Sequence, residues 1–295
     1  MRRKELCRIL GAMRVYLFIV FLAGVFYAPT ALAHGGELLV TPETVVQGEP
    51  FMVVVKGIDI RDVKKLTFDG KQIPVFLYGG KPTALIGVDL AARSGKHTLK
   101  LVTLDLDHVE KSISVQSRKK ITAPLGIPTK LGGNTKVAQE NLVTVLSKEN
   151  GVLARVKMTD PALFTEAFSA SLESIFVTDA YGYSRETGSY SIPHKGTDFR
   201  APLGTEVKAI NSGVVRLARD FTVYGKTVAI DHGGGVVSLS MHLSKLSVKE
   251  GQKVIKGDPI GFSGDTGYAE SPHLHLSIRL SGVSIDPMKF FALFK

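Results

Sequence analysis

His273-Leu274-His275-Leu276-Ser277-Ile278 alternates polar and apolar residues with a period of two. In an extended chain that period turns both imidazoles to one side of the pleat and Leu274 to the other. Upstream, short apolar runs at 207–210, 213–217, 227–230, 236–242 and 254–255 are separated by glycines, and Gly233-Gly234-Gly235 marks a tight turn. The span 174–295 is therefore expected to be a compact antiparallel β barrel or sandwich, not a series of strand–helix–strand units.

Residues 36–116 are also β-like. Runs at 51–55, 66–68, 83–88 and 98–102 are broken by turn dipeptides such as Asp69-Gly70 and Ser94-Gly95. Six or seven strands in about 80 residues predict an immunoglobulin-like β-sandwich over 34–117. Between the two β regions, 118–173 reads as a linker and connector. Its start is basic and rich in Pro and Gly, and Arg118-Lys119-Lys120 reads as solvated. A helix is predicted over 136–150, with Val137, Leu142, Val145 and Leu146 near helical spacing. A second is predicted from Asp160 as N-cap and Pro161 as first helical residue, with Leu163, Phe164, Ala167, Phe168, Leu172 and Ile175 on one face.

The chain has 295 residues, 44% of them hydrophobic and 22% charged, with a formal charge of +10. That composition excludes disorder as the main state. Of the charge, +4 belongs to residues 1–33, where Arg2 to Arg14 precede the apolar run 15–28 and the small-residue site Ala31-Leu32-Ala33. These are the parts of a secretory signal, so cleavage after Ala33 and an exported, periplasmic or secreted protein are expected. Fourteen apolar residues reach only about 21 Å as a helix, too short for a bilayer core. No transmembrane segment is expected after cleavage. The one cysteine, Cys7, falls inside the signal. The mature chain is then without disulfides, thiol nucleophiles or Cys-based zinc sites, and any metal must be held by His and carboxylates.

Five of the eight histidines lie between 194 and 275: His194, His232, His242, His273 and His275. In His194-Lys195-Gly196-Thr197-Asp198, Gly196 and the flanking Pro193 and Pro202 argue against helix, and in an extended segment residues four apart share a face. Two histidines and one aspartate are a suitable donor set for a hydrolytic zinc site with one position left open to water. A nearby imidazole would then exchange the proton. Spacing does not say which of His273 and His275 takes the metal.

Residues 179–287 resemble the M23 metallopeptidases, the lysostaphin/LytM-type endopeptidases of peptidoglycan. The matching stretches are His194-Lys195-Gly196-Thr197-Asp198 (HxGxD), Tyr224-Gly225-Lys226-Thr227-Val228-Ala229-Ile230-Asp231-His232-Gly233, Met241-His242-Leu243-Ser244, Gly257-Asp258-Pro259-Ile260-Gly261 with Gly264 and Gly267, and Ser271-Pro272-His273-Leu274-His275-Leu276. The resemblance implies a lysostaphin/LytM-type fold and one Zn2+ per chain, held by His194, Asp198 and His275. It implies that His242 and His273 stand beside the metal as catalytic groups. No ligand is implied at His232, for which a structural role is expected. Two departures stand out. Ser240 replaces a frequent Tyr, and residues 183–188 match the family's lead-in only in part. Arg185 and Tyr190 are the candidate substrate-binding residues, and Tyr181, Tyr183 and Tyr190 the candidate phenol donors.

The expected function is an exported zinc metalloendopeptidase acting on peptidoglycan stem peptides. The alternative is a non-catalytic LytM-like regulator of cell-wall hydrolases, which family members of that type become by losing metal ligands. A nucleic-acid partner is excluded by the lack of a basic patch interleaved with aromatics.

Overall fold

In the computed structural model, which describes residues 36–295, the strand His273–Leu280 lies within the largest sheet. Residues 1–33, expected to be an export signal, with Cys7, and also His34 lie outside the described residues. Leu274, Leu276, Ile278 and Leu280 enter the main core, and the alternation leaves His273, His275, Ser277 and Arg279 on the opposite face. The sheet runs in the order Val177–Asp179, Thr197–Arg200, His273–Leu280, Val236–Leu243, Gly225–Gly233, Gly213–Phe221, Lys253–Val254. Every pairing along this path is antiparallel. Its two outer strands do not meet, so the sheet stays open and no barrel closes. Gly233, Gly234 and Gly235 link two central strands with φ of +72°, +59° and +78°, a left-handed path that only glycine follows without strain.

One face of this sheet packs on a small sheet of Glu206–Lys208, Pro259–Phe262 and Lys245–Leu246, through Val207, Ile260, Val228 and Ile230. The C-terminal helix Pro287–Ala292 adds Phe290 to the same core. The other face, with Val237, Leu239 and Met241, receives Leu153 from the end of the helix Lys136–Leu153.

The N-terminal region holds nine strands, more than the six or seven expected. One sheet runs Glu37–Thr41, Pro50–Lys56, Lys81–Gly87, Phe76–Tyr78, and the other Thr44–Val46, His108–Gln116, Gly95–Thr103, Val63–Phe68, Lys71–Ile73. Phe51, Val53, Leu66, Leu99, Leu101 and Ile113 fill the space between them. Phe76 and Leu85 instead join the core of the C-terminal sheets, and the described residues 36–295 belong to one unit.

Two expectations for the connector need correction. Arg118 is not solvated: its Nε–H donates to the Gln47 carbonyl, it lies over the Tyr181 ring, and Glu49 and Asp286 lie within 4 Å. Residues 160–175 are not helical. Their backbone is bonded to the sheets instead: Leu163 N–H donates to His232, Ser169 N–H to Ile210, and the carbonyls of Asp160 and Ser171 accept from Gly234 and Lys208. Phe164, Phe168 and Leu172 are buried by this strap, while Leu163 and Ile175 are left outside. The one long connector helix is Lys136–Leu153, capped by Thr135 and passing through Gly151 without stopping. Its Val137, expected on the apolar face, is exposed.

Candidate active site

Two antiparallel strands set the centre of the site. Thr197–Arg200 pairs with His273–Leu280 so that Asp198 lies directly opposite His275. His194 follows the short strand Tyr190–Pro193 and reaches back to the same point. There His194 Nε2 is 3.1 Å from Asp198 Oδ1 and 3.1 Å from His275 Nδ1, and His275 Nδ1 is 2.7 Å from Asp198 Oδ1. These three buried side chains form a cluster whose donor atoms could hold one ion.

The triangle suits a metal on two further grounds. A tetrahedral ion about 2.0–2.1 Å from each donor sets a ligand–ligand edge of about 3.3 Å, slightly longer than the edges seen here. His194 Nδ1 lies 2.9 Å from the Ala180 carbonyl, which only accepts, so the proton sits on Nδ1 and Nε2 offers a lone pair. Burial opposes ionisation of Asp198, yet the facing His275 and His194 hold its carboxyl well below the usual range. Burial pushes His275 down to about 4, against the pull of Asp198. An ionised carboxylate and a neutral imidazole are the forms that bind a metal.

Gly196 belongs to this geometry. A Cβ there would stand 2.3 Å from His275 Nε2 and 2.7 Å from the Leu276 carbonyl, so only glycine lets the His194–Asp198 segment lie against the His275 ring.

His242 and His273 stand beside the triad, with ring centroids 4.9 Å apart, and His242 is 6.0 Å from His275. The pairing of Gly225–Gly233 with Val236–Leu243 slips between Lys226 and Val228. At that irregularity His242 takes φ +60°, unusual for a non-glycine residue. Strict alternation is lost, and neighbours Met241 and His242 both line the cavity. His242 Nδ1 donates to the Thr266 carbonyl and His273 Nδ1 to that of Ser271, so the Nε2 of each ring is turned away from those carbonyls. Burial, with His273 and His275 adding to it, pushes His242 down to about 3.

The other sequence candidates fall in different places. Arg185 donates to both Asp179 and Asp198 Oδ2, so its guanidinium holds the back of the triad's carboxylate. Burial works against its charge, but Asp198 and Asp179 more than offset that and raise it above its ordinary value. Tyr190 is half-buried beside Thr187 and lines neither cavity at the site. Tyr181 donates to the Ser284 carbonyl inside the fold, and burial pushes its phenol up. His232 is fully buried, donating from Nδ1 to the Ser212 carbonyl and accepting at Nε2 from Ser238, the structural role expected of it.

A cavity of about 430 Å³ runs from His194, His242 and His275 past Met241 and Ser277 to Arg279, walled by Leu142 and Leu146 of the long helix. On the side of Asp198 and His273 a second, of about 450 Å³, is lined by Pro124, Arg200, Glu270 and Tyr268. Ser240, where a tyrosine was expected, is buried in the sheet; the aromatic walls of the first cavity come from Tyr224 and Tyr268. Sequence reading missed both tyrosines, and it also missed Glu149. The buried Glu149 carboxylate accepts backbone N–H groups from Thr222, Val223 and Tyr224, and the Tyr224 carbonyl accepts the N–H of His242.

Residues 192–287 match the model of Peptidase family M23, and the chain carries a domain of that family. The peptidoglycan DD-endopeptidase ShyA of Vibrio cholerae is 44% identical over 97 residues, 33% of this chain and 23% of ShyA. The DD-carboxypeptidase/endopeptidase Mpg of Neisseria meningitidis is 42% identical over 95 residues, 32% of this chain and 22% of Mpg. The match thus spans under a quarter of these relatives' lengths. A Pseudomonas aeruginosa crystal structure assigned to peptidase M23 superposes with a TM-score of 0.63 at 28% identity, covering 84% of this chain and 96% of that one. Among the described residues no helix is long and apolar enough to cross a membrane.

Proposed function

We propose that this protein is an exported zinc metalloendopeptidase that hydrolyses peptide cross-links of peptidoglycan in the cell envelope. The observation that carries the reading is the convergence of His194 Nε2, Asp198 Oδ1 and His275 Nδ1, 2.7–3.1 Å apart, beside a groove that also holds His242 and His273. ShyA and Mpg, named for endopeptidase activity, support it, as does the signal-like character of residues 1–33. The positive charge that remains beyond residue 33 suits an anionic polymer.

In this reading His194, Asp198 and His275 hold one zinc ion. When bound, the ion supplies Lewis acidity, lowering the pKa of water from 15.7 towards about 7 and polarising the scissile carbonyl. Arg185 fixes the rotamer of Asp198 by taking Oδ2, leaving Oδ1 for the site. His242 presents a bare Nε2 because Thr266 holds its Nδ1 proton, so it accepts a proton from the attacking water. The same His242 Nε2–H then passes that proton to the leaving amine, while His273, with Nδ1 bound to Ser271, turns its Nε2 to the site to orient the water. Leu142, Leu146 and Met241 exclude water from one flank of the groove.

Digestion of purified sacculi by the purified protein, with mass analysis of released muropeptides, tests the reading. Peptide-bond cleavage that stops with a chelator and returns with zinc is expected. Intact sacculi under zinc-replete conditions would remove it.

A further inference from the structure

The groove face of the strand His273–Leu280 continues beyond the triad to Arg279. Four residues of extended strand separate Arg279 from His275, about 13 Å. Arg279 lines the same cavity as His194, His242 and His275. One Nη donates to the Leu153 carbonyl at 3.0 Å, closing the end of the helix. Its buried Nε, however, has no hydrogen-bond partner. Among the described residues no carboxylate lies within ion-pair distance of it. Burial lowers its pKa. Asp198 has Arg185 and Asp231 has Arg216; Arg279 is a guanidinium drawn out of water without a counter-ion, facing a channel. That arrangement carries a desolvation cost which an arriving anion offsets.

The space between the triad and Arg279 also has a defined character. Met241, Leu142, Leu146 and Val223 give the cavity an apolar wall, and Tyr224 and Asn150, hydrogen-bonded to each other at 2.9 Å, add polar groups to it. It fits an extended aliphatic segment that ends in a charge.

We propose that Arg279 is the specificity residue of the groove, binding a free carboxylate of the peptide substrate some distance from the bond cut. The guanidinium fork engages a carboxylate through parallel N–H donors. The proposal rests on the peptide-hydrolase reading above. The carboxylate has two sources in a stem peptide, the chain-terminal group and the side-chain group of a diamino acid.

Calorimetric titration of the zinc-loaded protein and its Arg279→Gln and Arg279→Lys variants tests this with three probes. They are a stem tetrapeptide ending in D-alanine, the same peptide with its terminal carboxylate amidated, and the same peptide with its side-chain carboxylate amidated. Amidation of one of the two groups is expected to weaken wild-type binding about tenfold to a hundredfold, and the group that matters identifies the source. Arg279→Gln is expected to lose the same factor for the free acid and nothing further for that amide, with Arg279→Lys between. Equal losses for acid and amide in Arg279→Gln mean that Arg279 only closes the helix end, and overturn the proposal. So does wild-type indifference to both amidations, which decides the matter even if Arg279→Gln does not fold. Sacculus digestion separates the two claims. Cleavage without acid–amide coupling sinks only the Arg279 assignment, whereas coupling without cleavage leaves a carboxylate site and sinks the hydrolase.

Discussion

Arg185 and Asp198 share one carboxylate–guanidinium contact on the far side of the site: Arg185 holds Oδ2, while Oδ1 faces His194 and His275. Asp179 anchors the guanidinium from behind. Residues that orient a metal ligand in this way typically govern affinity by 10- to 100-fold. Arg185→Ala is therefore expected to weaken zinc binding about 10- to 100-fold, measured by competition with a chromogenic chelator, and Arg185→Lys to weaken it less. Unchanged affinity in Arg185→Ala would assign Arg185 to substrate instead.

Gly196→Ala puts a methyl group into the His275 ring and the Leu276 carbonyl. Backbone does not yield as a flexible side chain does, so strand Thr197–Arg200 must shift from its partner. A loss of about 1–3 kcal/mol is expected, with zinc content falling further than the melting temperature alone predicts. Full zinc occupancy in this variant would show that the close approach is not needed.

Glu149 reaches from the long helix to three consecutive N–H groups at 222–224, and the Tyr224 carbonyl in turn accepts the His242 N–H. Glu149→Ala leaves those donors unpaired, which costs about 1–3 kcal/mol. Because His242 is tied to the same loop, kcat is expected to fall more than KM rises. A variant that loses stability but keeps kcat would make Glu149 purely structural.

His232 gives a pH dependence with a defined sign. Burial pushes it down to about 4, against about 6.5 in an unfolded chain. Between those values the unfolded chain binds a proton that the folded one refuses, so the stability present above pH 6.5 is lost as pH falls towards 4, by about 3 kcal/mol. Urea unfolding of metal-free protein should show this loss together with that from His242 and His275, and His232→Gln should reduce it by about this amount. An identical pH profile in the variant would contradict the assignment.

Much of the site was legible because its spacing is local. His273-Leu274-His275 and His194 to Asp198 each announce a shared face, and the antiparallel register brings Asp198 opposite His275. The strand character of 174–295 followed from the same period. What was not legible depends on distant partners. Residues 160–175 carry helix signals, but the carbonyls of His232 and Ile210 take their N–H groups and unwind them into a strap. Arg185 reads as a surface or substrate residue until Asp179 and Asp198 close around it. Glu149 looks like one more polar position on a helix, since nothing in its neighbourhood of sequence marks the loop 73–75 residues later whose N–H groups it accepts. The sheet's failure to close into a barrel is likewise a matter of edge strands, not of residue pattern.

Metal stoichiometry by elemental analysis bears most directly on the central claim that His194, Asp198 and His275 hold a single ion. The account predicts one zinc per chain, abolished together with sacculus cleavage in His194→Ala, Asp198→Ala and His275→Ala, and retained without cleavage in His242→Ala. A folded protein that carries no metal under zinc-replete conditions, or an Asp198→Ala variant that keeps its full complement, would contradict it.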